Sequence, residues 1–294
     1  MNSPKFLILG ATGLLGSRIL NYLPNSFGTY NKTNLSNQDN LLFFDGENKD
    51  NLLTIINLTQ PDFVINCIGL ANVDQCEIQP EKCWNINTKF ANSVALICKN
   101  RKIKFIHIST DHFNYNLGKM LHENDNPSYT NYYGYSKLCA EKFVLISNPE
   151  AIIVRTNFFH FNLINPKTFI DNLIIKITDG ESVSSFKNVL FTPISTTILI
   201  ESILTLIEVN YSGIIHVSSN EPISKYDFHN LVLDNFGLDH KNHFPIEIEE
   251  AKLKANRPKN MSLSNKNYVK ISGRQMPSIN NMIKIEMNHI SDRK

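Results

Sequence analysis

The stretch Gly10-Ala11-Thr12-Gly13-Leu14-Leu15-Gly16 limits this chain to few folds. It follows the short apolar run Phe6-Leu7-Ile8-Leu9 and leads into a helix-like pattern that continues to Leu23. A strand that feeds a glycine turn and then a helix is the opening of a dinucleotide-binding unit. Gly10 permits the tight turn, Gly13 lets backbone N–H groups approach a pyrophosphate, and Gly16 lets helix and strand pack closely. The helix N-terminus adds partial positive charge. Thr12, Leu14 and Leu15 lie between these glycines and share the expected cofactor contact. The spacing is Gly-x-x-Gly-x-x-Gly and not the commoner Gly-x-Gly-x-x-Gly. Three glycines alone serve any βα turn, so the rest of the chain has to agree.

It does so through a βαβα rhythm. Phe27–Asn31 and Leu41–Phe44 read as short strands, Asp50–Thr59 as a helix, and Asp62–Asn66 as a buried strand. Pro80–Lys99 reads as one long helix, Ile103–Ser109 as a strand, Tyr132–Ile146 as a helix and Ala151–Arg155 as a strand. The pattern predicts an α/β fold, a Rossmann-type doubly wound parallel sheet with a smaller C-terminal substrate-binding lobe. Ligands of such sheets bind at the carboxyl ends of strands, where Gly10, Asn66, Ser109 and Arg155 would sit. We expect residues 1–156 to form the nucleotide-binding domain. Residues 157–294 would form the smaller lobe, which returns some elements to the main sheet. In that lobe Pro193-Ile194-Ser195 precedes an apolar helix to Ile207, and Gly213–Ser218 reads as a strand. Ser224 caps a helix over Lys225–Phe236 that Gly237 stops, and Pro277–His289 reads as a terminal helix.

Chemistry enters with Ser109-Thr110-Asp111 and Tyr133-Gly134-Tyr135-Ser136-Lys137. A Tyr and a Lys four apart on a helix share a face, with about 5–6 Å between β-carbons. The ammonium can hold down the phenol's pKa, ordinarily about 10, and make it a usable proton donor. With a hydroxyl from Thr110 at a nearby strand end, the three groups suit redox chemistry at a carbonyl. Such a site needs a hydride carrier. Tyr115 and Lys119 have the same spacing, but Asn116 and Gly118 mark a loop, where that geometry does not hold.

A net charge of +2 gives no basic footprint for nucleic acid, and no apolar run approaches the roughly 18–20 residues of a membrane span. Cys67, Cys76, Cys83, Cys98 and Cys139 include no Cys-x-x-Cys pair. They read as small buried hydrophobes or loop thiols of a reducing, cytoplasmic setting.

Taken together, these segments resemble the extended short-chain dehydrogenases/reductases, and specifically the dTDP-4-dehydrorhamnose reductase group. The resemblance is carried by Gly10–Gly16, Pro61–Asn66 with Val73–Glu77, Ser109–Asp111, Asn131–Lys137, Arg155-Thr156, and Arg257-Pro258 before Asn260–Leu263. It implies a catalytic triad of Thr110, Tyr133 and Lys137, with Lys137 also on the nicotinamide ribose. Asp45-Gly46 matches the adenine-contacting pair, and Gly69-Leu70-Ala71 falls where further cofactor contacts are expected. Asp111, Phe158 and Arg257 take substrate-binding positions, Arg257 suiting a diphosphate. The chain departs from the family at His112, usually Tyr, at Ala71, often Thr, and at Phe158, where Trp is usual. Arg18 stands where some members carry a metal-binding glutamate, so no metal is expected.

The second strand ends Thr29-Tyr30-Asn31-Lys32-Thr33 without the carboxylate that grips the ribose diol in NAD-selective folds. Asn31 and Lys32 therefore point to NADP(H), with NAD(H) still possible, and Lys32 or Arg18 could meet a 2′-phosphate. The resemblance implies reduction of the C4 keto group of a nucleotide-linked 4-keto-6-deoxyhexose in deoxysugar and polysaccharide biosynthesis. A nucleotide sugar would be the partner, and a homodimer is the assembly allowed for. Two alternatives stay open. One is an epimerase or dehydratase with bound NAD, although dehydratases usually follow the catalytic Thr with Asp-Glu. The other is a non-catalytic NADP-binding subunit, since the regulatory subunit of methionine adenosyltransferase shares this fold.

Overall fold

The apolar runs of the first half pair side by side. In a computed structural model that describes residues 3–32, 39–46, 49–114, 119–163, 166 and 168–291, seven strands form one sheet. They are β1 (Phe6–Leu9), β2 (Ser26–Tyr30), β3 (Leu41–Phe43), β4 (Phe63–Asn66), β5 (Lys104–Ile108), β6 (Ile152–Arg155) and β7 (Gly213–His216). Their order is β7-β6-β5-β4-β1-β2-β3, and the pairs linking β1 through β6 are parallel. The expected doubly wound sheet is therefore present. Its order reverses between β1 and β4, the switch point at which such sheets take ligands.

The near-continuous apolar strands reflect burial on both faces. Leu7, Leu9, Val64, Phe105 and Ile153 pack with Val94, Ala95 and Cys98 of the Ala91–Arg101 helix and with Ala140 and Val144 of the Tyr132–Ser147 helix. Because strand side chains alternate, Asn66 shares the face of Val64, and His107 that of Phe105. Two polar groups thus stand at the sheet's carboxyl edge on this helix-covered face.

By its internal contacts the chain divides into two compact units. The first comprises Met1–Thr110, Asn131–Arg155 and Asn210–Ile215, and the second Asp111–Thr130, Thr156–Val209 and His216–Lys294. The second unit holds short paired strands and the helices Phe169–Thr178, Thr196–Glu208, Lys225–Asn235, Lys266–Ser272 and Ile279–Ser291. Ser224 caps the third of these by accepting from the Asp227 N–H at 3.0 Å, and Gly237 adopts φ +65° just beyond its end.

The long helix expected over Pro80–Lys99 forms and runs without a break over 80–101, but it is not α-helical throughout. Helices at Val73–Ile78 and Pro80–Trp84 lead into a wide π turn over Asn85–Phe90, and an α-helix resumes at Ala91. Inside this turn Asn87 accepts from the Leu70 N–H at 2.7 Å and donates to the Leu70 carbonyl at 3.2 Å and to Ser136 Oγ at 3.0 Å. Those three bonds secure a loop and a second helix from one buried amide. No helix among the described residues is long and apolar enough to cross a membrane.

Candidate active site

The glycine turn closes as tightly as its spacing requires. Gly10 has φ +81°, and a Cβ at Gly16 would lie 2.2 Å from the Gly10 carbonyl oxygen. Gly16 therefore acts by packing. The turn is tied to β2, whose Thr29 accepts from the N–H groups of Gly10 and Ala11 at 3.0 and 2.9 Å. The Leu14–Tyr22 helix starts at Gly13 with no side chain capping it, which leaves its positive end for an anion. Leu15 is buried in the core, so only its backbone can face a ligand. Gly28 was not anticipated: a Cβ there would lie 2.4 Å from Ala11 Cβ. Its signal in the sequence was a glycine within a strand.

Beside the turn is a pocket of about 380 Å³ in the first unit, within the usual range of about 300–1,000 Å³ for small-molecule sites. Of the residues expected from sequence it collects Gly10, Thr12, Asn31, Lys32, Asp45 and Gly46. Asn31 donates to the Phe44 carbonyl at 3.0 Å and so joins the ends of β2 and β3. Gly46 takes φ +87°. Ile68, Ile86 and Phe90 supply apolar wall, and Lys82 a second ammonium that sequence reading missed. Neither Lys32 nor Lys82 is engaged by an acid among the described residues. Arg18 and the Gly69-Leu70-Ala71 loop do not line this pocket. Thr33, next after Lys32, lies outside the described residues.

The Tyr132–Ser147 helix carries Tyr133 and Lys137 one turn apart. Asn131 caps it, accepting from the Gly134 N–H at 2.9 Å. Lys137 is buried, and its Nζ donates to the Ile108 carbonyl at 2.8 Å, two residues before Thr110. It also lies 3.3 Å from His107 Nε2. Burial pulls Lys137 down to about 8, although Glu141, Cys67 and Cys83 oppose the shift. Thr110 follows β5 and is buried, while Tyr133 is half-buried. Tyr115, of the competing pair, lies outside the described residues.

Under this segment Glu141 is buried against Arg155, with Arg155 Nη2 donating to Oε2 at 2.7 Å and Nε to both oxygens at 3.0 and 3.1 Å. Ser109 Oγ donates to the same carboxylate at 2.5 Å. Sequence reading put Arg155 and Ser109 at the ligand-binding edge of the sheet. The structure engages both in an internal network with the buried carboxylate of Glu141.

Asp111, Phe158 and Arg257 belong to the second unit. Asp111 is buried and accepts from Asn157 Nδ2 at 2.7 Å. Burial pushes its carboxyl up to about 6, although Lys225 and Asn157 pull the other way. Lys225, unanticipated from sequence, lies 3.3 Å over the Phe191 ring centroid and is pulled down to about 8 by burial. His112 is pulled down to about 3, by burial first and then by Arg257 and Lys225, so its ring is neutral. Arg257 donates to the Ala255 carbonyl at 2.8 Å, and Phe158 lies in a two-residue strand paired with Ile194–Ser195.

Comparison with known proteins gives a consistent result. The family of the RmlD substrate binding domain matches residues 4–291. The probable low-salt glycan biosynthesis reductase Agl14 of Haloferax volcanii is 28% identical over 79% of this chain and 80% of its own length. Methionine adenosyltransferase 2 subunit beta of Danio rerio is 26% identical over 88% of this chain and 82% of its own. A dTDP-4-dehydrorhamnose reductase from Bacillus anthracis, solved in complex with NADP, shares the fold with a TM-score of 0.85. It is 24% identical, and the match covers 98% of this chain and 100% of that one.

Proposed function

Since the chain belongs to the RmlD substrate binding domain family, we propose that it uses NADPH to reduce the C4 keto group of a nucleotide-linked 4-keto-6-deoxyhexose. The observation that carries this reading is the anchoring of Lys137. Its ammonium is buried beside β5 by the Ile108 carbonyl, at the strand end that leads to Thr110 and one helical turn from Tyr133.

The first unit fits a dinucleotide. A side chain at Gly16 would collide with the turn and one at Gly10 would be strained at φ +81°, and the uncapped helix start favours a pyrophosphate. The Asn31, Asp45 and Gly46 pocket suits the adenosine end, where Lys32 and Lys82 face a 2′-phosphate. When bound along the sheet edge, NADPH would supply the hydride. The chain's own residues manage the oxygen that the hydride leaves charged. Tyr133 donates its phenolic proton to that oxygen, and the Thr110 hydroxyl donates a hydrogen bond to it as charge develops. Lys137 keeps the phenol acidic through its charge. In the second unit Asp111 accepts from a sugar hydroxyl, and Arg257 and Lys225 carry positive charge for the diphosphate.

The test is incubation of the protein and NADPH with dTDP-, GDP- and UDP-linked 4-keto-6-deoxy sugars, following absorbance of the reduced nicotinamide. At least one sugar should be consumed by the unsubstituted protein and none by Lys137→Met, which loses the ammonium. The likeness to methionine adenosyltransferase 2 subunit beta supports a second reading, a non-catalytic NADP-binding subunit. Tight NADPH binding with no turnover on any of the sugars would favour it, and a pull-down would then identify the partner enzyme.

Cofactor choice gives a separate expectation. Lys32→Ala and Lys82→Ala should each weaken NADPH by about 5–10-fold, as expected of loss of a charge-assisted contact, and leave NADH unchanged. Titration by nucleotide fluorescence reads both. Equal losses for the two nucleotides would remove the lysines from the 2′-phosphate.

A further inference from the structure

Beneath Tyr133's helix three buried side chains form a chain in which every hydrogen can be placed. Asn66 and His107 stand opposite each other in the β4–β5 register, and both are fully buried. The Ile68 backbone N–H can only donate, and it reaches Asn66 Oδ1 at 3.0 Å. That orients the amide, so Asn66 Nδ2 faces His107 Nδ1 at 3.2 Å. An amide NH₂ donates, which requires a bare Nδ1. Burial, then the charge of Lys137, holds the His107 pKa well below the usual imidazole range, so the ring is neutral. Its one proton therefore sits on Nε2, 3.3 Å from Lys137 Nζ. An ammonium has three donors and no lone pair, so it meets this N–H donor against donor. A neutral amine has the lone pair and can accept, while one of its own hydrogens still serves the Ile108 carbonyl at 2.8 Å.

We propose that His107, oriented by Asn66, is a positioning residue that receives Lys137 as the neutral amine and so lets this lysine pass its proton to Tyr133 during turnover. The proposal rests on the reductase reading of Tyr133 and Lys137. When the phenol O–H breaks to protonate the substrate oxygen, a phenolate remains. An N–H bond of the Lys137 ammonium then breaks and the phenol O–H re-forms. The electron pair left on Nζ takes the hydrogen bond from His107 Nε2–H. A proton from solvent restores the ammonium. The groups around Lys137 are His107 on β5, Cys67 after β4, Cys83 on the Pro80–Trp84 helix, and Tyr133 and Glu141 on its own helix. Of these, Glu141, Cys67 and Cys83 favour the ammonium and His107 favours the amine.

Nitrogen NMR of histidine-labelled protein, with the His107 signal assigned by its loss in His107→Gln, reads the tautomer without substrate. Nε2–H with a bare Nδ1 is expected at neutral pH. Carbon NMR of labelled lysine follows the Lys137 titration directly. His107→Gln offers the ammonium a carbonyl acceptor without adding charge. Asn66→Asp draws the imidazole proton to Nδ1 and frees Nε2 to accept. Both should raise the Lys137 midpoint by about one pH unit and move the alkaline limb of kcat/KM upward with it. An Nδ1–H tautomer in the unsubstituted protein, or a Lys137 midpoint that His107→Gln leaves in place, overturns the proposal. These NMR readouts need no turnover, so a failure of the reductase reading would show separately, as absence of sugar reduction.

Discussion

Tyr133→Phe is expected to lower turnover by about 10²–10⁴-fold, the usual contribution of a positioned general acid, while NADPH binds nearly as before. The substitution keeps the ring and its packing and removes only the proton that, in the proposed reaction, the C4 oxygen receives. Hydride transfer without that proton leaves an alkoxide, and the Thr110 hydroxyl by itself can only lessen its charge. Lys137 would remain bound to the Ile108 carbonyl, so the helix should not shift. Steady-state kinetics beside a nucleotide titration separates the two effects, since kcat should fall while the NADPH Kd holds. Tyr115→Phe should change neither. Inactivation by Tyr115→Phe with a fully active Tyr133→Phe would mean that the pair had been misassigned.

The parts of this molecule readable from sequence are those set by local geometry. The turn from Gly10 to Gly16 was legible because its tightest constraint is local: the Gly16 position is filled by the Gly10 carbonyl itself. The strand rhythm was legible because burial on both faces leaves nearly uninterrupted apolar runs. What escaped depends on distant partners. Glu141 lies beside Lys142 in a helix and reads as a solvated charge, yet it is buried, with its countercharge supplied by Arg155 of β6. Lys82 gave no sign of lining the pocket, because the residues that share it, such as Asn31 and Asp45, are distant in sequence, and the π turn over Asn85–Phe90 was hidden as well. Nothing in Asn-Ile-Asn-Thr-Lys-Phe announces such a turn, and its reason appears only where Asn87 meets Leu70 and Ser136. The membership of 111–130 in the second unit was equally hidden, because it rests on pairings such as Leu121 with Leu263.

Arg155→Met is expected to cost about 3–5 kcal/mol of stability, as breaking one side of a buried ion pair generally does. The arginine gives Glu141 its three guanidinium bonds, and both side chains are nearly inaccessible, at 3% and 1% exposure. Without it the carboxylate keeps only the Ser109 hydroxyl and stays desolvated without a countercharge. Removing both charges should be far milder. Arg155→Met with Glu141→Leu replaces the pair with apolar groups of similar volume and should recover most of the loss. Denaturant unfolding at an unchanged m-value measures both, and a double variant no more stable than the single one would rule out an unpaired charge as the cause. The same pair of proteins bears on the chemistry. Glu141 lies one helical turn beyond Lys137 and is the largest influence holding that lysine's pKa up against burial. In the double variant Lys137 should therefore lose its proton at lower pH, and the alkaline limb of activity should move down while the fold holds. That direction is opposite to the one expected for His107→Gln, so the two variants together would bracket the lysine from its two sides.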